Sequence, residues 1–368
     1  MSQPAELPLQ FQKSHLPALD GVRAIAVFLV ILYHFGVPRV PGAHGVMIFF
    51  VLSGFLITWL LLKEDEQNGT ISLAGFYKRR TLRIFPAFYV YWILLIVYLW
   101  VGAKPLNWQH AISSFTYTSN YYNAIHGDPN DGFSHTWSLA IEEQFYLLWP
   151  LVFLILRRRI ARAGIVLAVL IGLVWVYRAI LCYVFNVDQG YVYSAFDTRL
   201  DELLVGCLVA ILIRRGQLSL FWRAITSHML FPLVTIGLLL VSIFVGNAYV
   251  DRYRDVFGFA IEPLLIAVLL VQLIVLSPSR LWAWTEWRVL KFLGRISYSL
   301  YLYQQVILYP VKKLMGSFPS VLQLVAAVLA TITVAAISYY AVELPFLRLQ
   351  RMRSKLPQKS PSPQLVAP

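Results

Sequence analysis

Asp20-Gly-Val-Arg23-Ala-Ile-Ala-Val-Phe-Leu-Val-Ile-Leu-Tyr-His34 is an apolar run with an ionisable side chain toward each end. Coiled as an α-helix, the eleven residues from Arg23 to His34 make about three turns plus roughly 20°, so the two side chains share one face about 16 Å apart along the axis. A helix this apolar belongs in a bilayer, where ionisable groups are costly and are tolerated mostly when they face a bundle interior or a wet cavity with a function. The competing reading is that Arg23 snorkels to the headgroups while His34 hydrogen-bonds a neighbouring helix.

Composition fixes the environment. Of 368 residues, 59% are hydrophobic and 15% aromatic, more apolar surface than a water-exposed fold can hide. The expected fold class is therefore all-α, a polytopic integral membrane bundle. The two cysteines, Cys182 and Cys207, both lie in apolar runs, so neither a disulfide framework nor a metal-binding Cys/His cluster is expected. A net charge of +13 can signal nucleic acid, but Lys and Arg recur here in short clusters between apolar runs, which is the pattern of cytoplasmic loops. No nucleic-acid motif accompanies them, so no nucleic-acid partner is expected. The residues up to Leu16 lack an apolar core followed by a small-residue cleavage site, and the first span itself is expected to direct insertion.

About ten transmembrane helices are expected, near 20–36, 45–62, 84–103, 139–156, 164–185, 199–213, 229–246, 257–276, 293–311 and 320–342, each close to the length that crosses the hydrocarbon core. Segment 109–125 is too polar and too short for a span and is read as re-entrant or interfacial. With ten spans and both termini cytoplasmic, 23 of the 31 Lys and Arg residues face the cytoplasm, whereas an eleventh span at 109–125 would turn the later clusters outward. The expected organisation is an N-terminal cytoplasmic segment 1–15, a transmembrane domain 16–350, and a cytoplasmic tail 351–368 that is first basic and then Pro-rich and disordered.

In this topology Arg23 lies near the cytoplasmic face and His34 toward the outer leaflet. That pairing suits an elongated donor with phosphates at one end and a reactive group at the other, as in coenzyme A. Arg80 and Arg83, three residues apart before the third span, are either a phosphate clamp or plain positive-inside topology. Glu142 and Glu143 open the fourth span, where they complement the helix dipole; alternatively one of them faces the site and orients the His34 imidazole. Adjacent helical residues point about 100° apart, so both are not expected to face one site. Asp197 and Arg199 repeat the theme at the start of the sixth span, as substrate contacts or as local ion pairing of Asp197 or Asp201 with Arg199. Gly206, and Ser53-Gly54 within Phe49–Ile57, are read as small residues for close helix packing, with no partner near Ser53 in sequence that would make it a nucleophile. Trp137, with Tyr117, Tyr121 and Tyr122, either stacks on sugar faces or belongs to an interfacial aromatic belt.

Taken together these segments resemble the acyltransferase-3 family of bacterial membrane acyltransferases, the O-antigen and exopolysaccharide O-acetylase type. The resemblance spans roughly residues 16–350. It is carried by Leu19–Val27 running to His34, Phe49–Ile57, the Arg80/Arg83 pair, Trp137-Ser-Leu-Ala-Ile-Glu-Glu-Gln-Phe-Tyr146, Asp197-Thr-Arg-Leu-Asp201, Leu293-Gly-Arg-Ile-Ser-Tyr-Ser-Leu-Tyr-Leu302 and Val342-Glu-Leu-Pro-Phe346. It implies acyl-CoA, chiefly acetyl-CoA, as donor with no metal, a carbohydrate or lipid-linked glycan hydroxyl as acceptor, and work at the bacterial inner membrane among its lipids.

The resemblance also implies site roles. Arg23, Arg80 and Arg83 hold the donor, His34 and Glu142 act in catalysis, and Trp137, Asp197, Arg199 and Tyr298 contact substrate. Transfer runs directly from the donor or through an acyl-histidine. Two departures stand out: Met47 replaces an Asp common in the family, and Tyr303-Gln304-Gln305 stands where many members carry a His. The fused periplasmic esterase-like domain of some members is not part of the resemblance, which leaves room for a separate periplasmic transferase. A glycan or acyl-compound transporter or flippase without covalent chemistry, and an acyltransferase acting on a small molecule, are the alternatives.

Overall fold

The computed structural model describes residues 9–13, 15–129, 131–248 and 251–354; most of the expected N-terminal segment and nearly all of the tail, from 355 onward, lie outside the described residues. Among the described residues there is no strand. Ten helices of 18 residues or more form the body: α1 (Pro17–Phe35), α2 (Gly42–Asn68), α3 (Leu73–Val101), α4 (Thr136–Leu156), α5 (Ile160–Tyr183), α6 (Phe196–Arg214), α7 (Phe231–Ala248), α8 (Phe259–Leu276), α9 (Ser297–Leu314) and α10 (Ser320–Ser338). One falls on each expected span.

Among the described residues, seven spans are long and apolar enough to cross a membrane: Pro17–Phe35, Gly42–Asn68, Leu73–Val101, Thr136–Arg159, Arg162–Tyr183, Arg254–Leu276 and Ser320–Leu349. An eighth arises if Gln189–Arg214 and Ser219–Ile225, bent by 105° at their junction, count as one. The molecule is a multi-pass membrane protein. The helices that fall short do so for visible reasons. α6 carries Asp197, Arg199, Asp201, Glu202 and Arg214, and α9 carries two glutamines, two lysines and four tyrosines. The 109–125 region forms two eight-residue helices, Trp108–Phe115 and Ser119–His126, each about 12 Å long and too short to span.

Local signals set the helix ends. Gly36, at φ 92°, closes α1 in the left-handed conformation that glycine adopts without a Cβ penalty. Ser72 caps α3 by accepting from the Gly75 amide at 3.0 Å. The Phe11 ring, just before α1, packs on Trp59 at 5.3 Å.

The centre is built on close helix approach. A Cβ at Gly54 would stand 1.9 Å from the Leu203 carbonyl oxygen, and one at Gly206 would stand 2.1 Å from the Val51 carbonyl oxygen, so α2 and α6 touch backbone to backbone. The charges of α6 stay inside because they are paired. Arg178 of α5 grips Asp201 with two 3.0 Å hydrogen bonds, and Arg199 pairs with Glu202 at 2.6 Å; all four side chains are buried. Such pairs are costly to break, because removing one partner strands a buried charge.

Candidate active site

A cavity opens between α1, α2, α3, α4 and α9, and residues far apart in sequence line it. α1 contributes Arg23, α2 Ser53, α3 Arg80 and Arg83, α4 Glu142, Glu143 and Tyr146, and α9 Tyr298 and Tyr301. The arginines lie within electrostatic reach of one another, and Arg80 also rests over the Tyr146 ring at 4.9 Å. Three like charges converge, and the two cavity carboxylates do not fully balance them. An anion with several negative charges completes such a site, and guanidinium forks suit phosphate.

Both carboxylates face this cavity, contrary to the expectation that only one of them can. Long glutamate side chains converge across the roughly 100° that separates their Cβ atoms. They differ in anchoring. Ser53 Oγ donates to Glu142 Oε1 at 2.6 Å, and the Tyr146 hydroxyl donates to Ser53 Oγ at 2.8 Å. Ser53, read from sequence as a packing residue without an acid/base partner, thus sits in the middle of a hydrogen-bonded chain.

The expected pairing of Glu142 with His34 is not what the structure contains. Glu142 accepts from Ser53, whereas His34 Nδ1 donates to the Val30 carbonyl at 2.9 Å. The reason is depth: His135, at the start of α4, lies near His34, and Glu142 is seven residues, about 10 Å, further along that helix. Because a carbonyl only accepts, the bond to Val30 places the proton of neutral His34 on Nδ1 and leaves Nε2 as the basic nitrogen. His34 is exposed at its end of the bundle, with Gln304 of α9 against it.

Of the residues expected to contact substrate, only Tyr298 lines the cavity; its hydroxyl donates to the Ile84 carbonyl at 3.1 Å. Trp137 is buried, packed on Tyr193 at 4.9 Å and Phe50 at 6.2 Å. Arg199 is enclosed, with Phe259 at 3.9 Å as well as Glu202, so the local pairing runs to Glu202 and not to Asp197 or Asp201. Asp197 instead collects the hydroxyls of Tyr121, Tyr177 and Tyr191 at 2.9, 3.0 and 3.2 Å. Burial, and then that carboxylate, pushes the Tyr121 phenol up, which keeps it a donor. Among the described residues no group of three His, Cys, Asp or Glu is placed to hold a metal ion.

Sequence reasoning missed His135, and it noted Gln304 only as a departure from the family pattern, without placing it beside His34. His135 stands two residues before the Trp137–Tyr146 stretch, but nothing local ties it to a residue a hundred positions away.

A bundle of apolar helices, with no strand among the described residues and a cavity crowded with arginine and carboxylate, defines the class of protein. The family follows from comparison: the acyltransferase-3 model, described as an acyltransferase domain, matches residues 16–340, and the chain belongs to that family. It is 32% identical over 359 residues to the peptidoglycan O-acetyltransferase OatA of Listeria monocytogenes, covering 91% of this chain and 56% of that protein. Identity to the O-acetyltransferase OatA of Staphylococcus aureus is 32% over 360 residues, covering 92% and 58%. For the putative peptidoglycan O-acetyltransferase YrhL of Bacillus subtilis it is 33% over 363 residues, covering 92% and 56%. The chain therefore spans just over half the length of the curated relatives it matches. No solved structure matches it.

Proposed function

We propose that this protein is an acyl-CoA-dependent O-acyltransferase, specifically an O-acetyltransferase, that modifies hydroxyls of a cell-surface glycan at the bacterial inner membrane. The observation that carries the reading is the convergence of Arg23, Arg80 and Arg83 on one cavity, with His34 about three turns along the helix that bears Arg23. The names of the relatives point to a peptidoglycan-like acceptor, either polymerised or still lipid-linked, and a separate extracytoplasmic transferase remains a natural partner.

Acetyl-CoA supplies the acyl group as a thioester. The three arginines hold its phosphates at the cytoplasmic end of the cavity, and Tyr298 and Tyr146 form the walls along the pantetheine arm. His34 Nε2 takes the proton of the acceptor hydroxyl as its oxygen attacks the thioester carbon; the thiolate leaves and is protonated. Glu142, fixed by Ser53, acts on the arginines and not on His34. Glu142→Gln is accordingly expected to lower turnover more than Glu143→Gln, because only Glu142 carries the Ser53–Tyr146 chain. Steady-state rates of the two variants check this, and equal losses would remove the distinction.

The donor site is tested by comparing CoA with dephospho-CoA. Wild-type protein in nanodiscs is expected to bind CoA more tightly, and Arg80→Ala and Arg83→Ala to weaken CoA binding by about tenfold or more each, in line with a charge-assisted contact. His34→Ala is expected to leave donor affinity intact. Wild-type protein that binds neither form, or arginine variants with unchanged affinities, would make these arginines topology signals only.

A further inference from the structure

At the His34 end of the bundle, polar atoms are buried without use. Gln304 is fully buried and its amide makes a hydrogen-bonding contact with the His34 ring, although neither Oε1 nor Nε2 reaches well-aligned hydrogen-bond geometry among the described residues. His135 is 3% exposed and within electrostatic reach of His34; its ring meets the Leu302 carbonyl and its Nδ1 donates to Gln305 Oε1 at 3.1 Å, which makes Nε2 the accepting nitrogen of the neutral ring, and that Nε2 has no well-formed bond of its own. Buried amide and imidazole groups are usually satisfied in a folded chain, so polar atoms this loosely bonded beside one exposed histidine are available to a ligand.

The cluster also abuts the donor cavity. The His135 carbonyl accepts from the Tyr301 hydroxyl at 3.0 Å, Tyr301 meets Ser138 at 2.5 Å, and both Tyr301 and Ser138 line the cavity. A group held at Gln304 and His135 is thus one side chain away from the end of the donor channel.

We infer that Gln304 and His135 form, together with His34, a hydroxyl-binding subsite for a polyhydroxylated acceptor such as a glycan strand. The inference rests on the acyl-transfer reading above. The Gln304 amide offers donors and an acceptor, and His135 Nε2 offers an acceptor; neighbouring sugar hydroxyls are both donors and acceptors and match that set. His34 deprotonates the hydroxyl to be acylated, while the other two residues grip its neighbours. A site that hydrogen-bonds such hydroxyls discriminates against an acceptor without them, because its buried polar groups are then left unpaired.

The test sets two acceptors against each other, with acetyl-CoA as donor and the full chain in nanodiscs. Methanol presents only the reacting hydroxyl, whereas soluble glycan strands of peptidoglycan present its neighbours as well. Gln304→Leu and His135→Phe are expected to lower glycan acylation by about tenfold each, mostly as a higher KM for the glycan, and to leave methanolysis nearly unchanged. If the leucine variant does not fold, Gln304→Met, closer in shape, carries the same comparison. Methanolysis that falls in parallel would show that these residues merely hold His34 and would overturn the subsite, as would an unchanged KM for the glycan. Wild-type protein that acylates methanol but no glycan would also overturn it. Failure of the wild type with both acceptors would remove the acyl-transfer reading itself, and the subsite with it.

Discussion

His34→Ala is expected to insert and fold normally and to lose acyl transfer by roughly 10²–10⁴-fold, the usual cost of removing a general base. The position makes the loss specific. His34 is exposed at the end of α1, its ring is held by a hydrogen bond to its own helix and by contact with Gln304, and no buried ion pair depends on it. Truncation therefore removes the basic Nε2 without opening the core. The check is product formation from acetyl-CoA by protein that is monodisperse in detergent and binds CoA as the wild type does. Near-normal turnover in such protein would place the proton transfer elsewhere and return His34 to the status of a helix-end polar residue.

Gly54→Leu and Gly206→Leu are expected to leave little folded protein. At Gly54 even a Cβ would lie 1.9 Å from the Leu203 carbonyl oxygen and 2.8 Å from its carbonyl carbon; at Gly206 it would lie 2.1 Å from the Val51 carbonyl oxygen and 2.6 Å from the Phe55 amide nitrogen. These neighbours are backbone atoms, which cannot rotate away, so α2 and α6 must separate. Overpacking a core with a few methylenes costs about 1–3 kcal/mol, and parting two helices exceeds that, since Ser53 and its bond to Glu142 ride on the same turn of α2. Gly172→Leu, with nothing within 4 Å of a Cβ, is the neutral control. Monodisperse yield and thermal midpoint in detergent decide the matter: a Gly54→Leu protein with the midpoint of the Gly172→Leu protein would mean that the two helices are not in backbone contact.

The outcome at these positions shows which features a linear sequence encodes. The long apolar runs gave a helix at each expected position, and the small residues Gly54 and Gly206 announced a close approach that the backbone contacts contain. Arg23, Arg80 and Arg83 were legible as candidates because charge within or beside an apolar run is expensive and so conspicuous. All three line one cavity.

Partnership was not legible. Periodicity assigns a side chain to a face of its own helix, but not to a depth relative to another helix, and depth separates Glu142 from His34. The same limit hid the pairing of Arg178 with Asp201 and of Ser53 with Glu142. It hid His135 and the position of Gln304 beside His34 as well, which become visible only where α1, α4 and α9 meet. The sequence alone determined that this chain is a membrane-embedded helical bundle and which charges it keeps inside, because hydrophobic transfer free energy is a local property of each segment. The tertiary structure alone decided which of those charges are spent on one another and which face an open cavity, because that depends on the axial register between helices, and register is set by packing between segments that the sequence holds far apart.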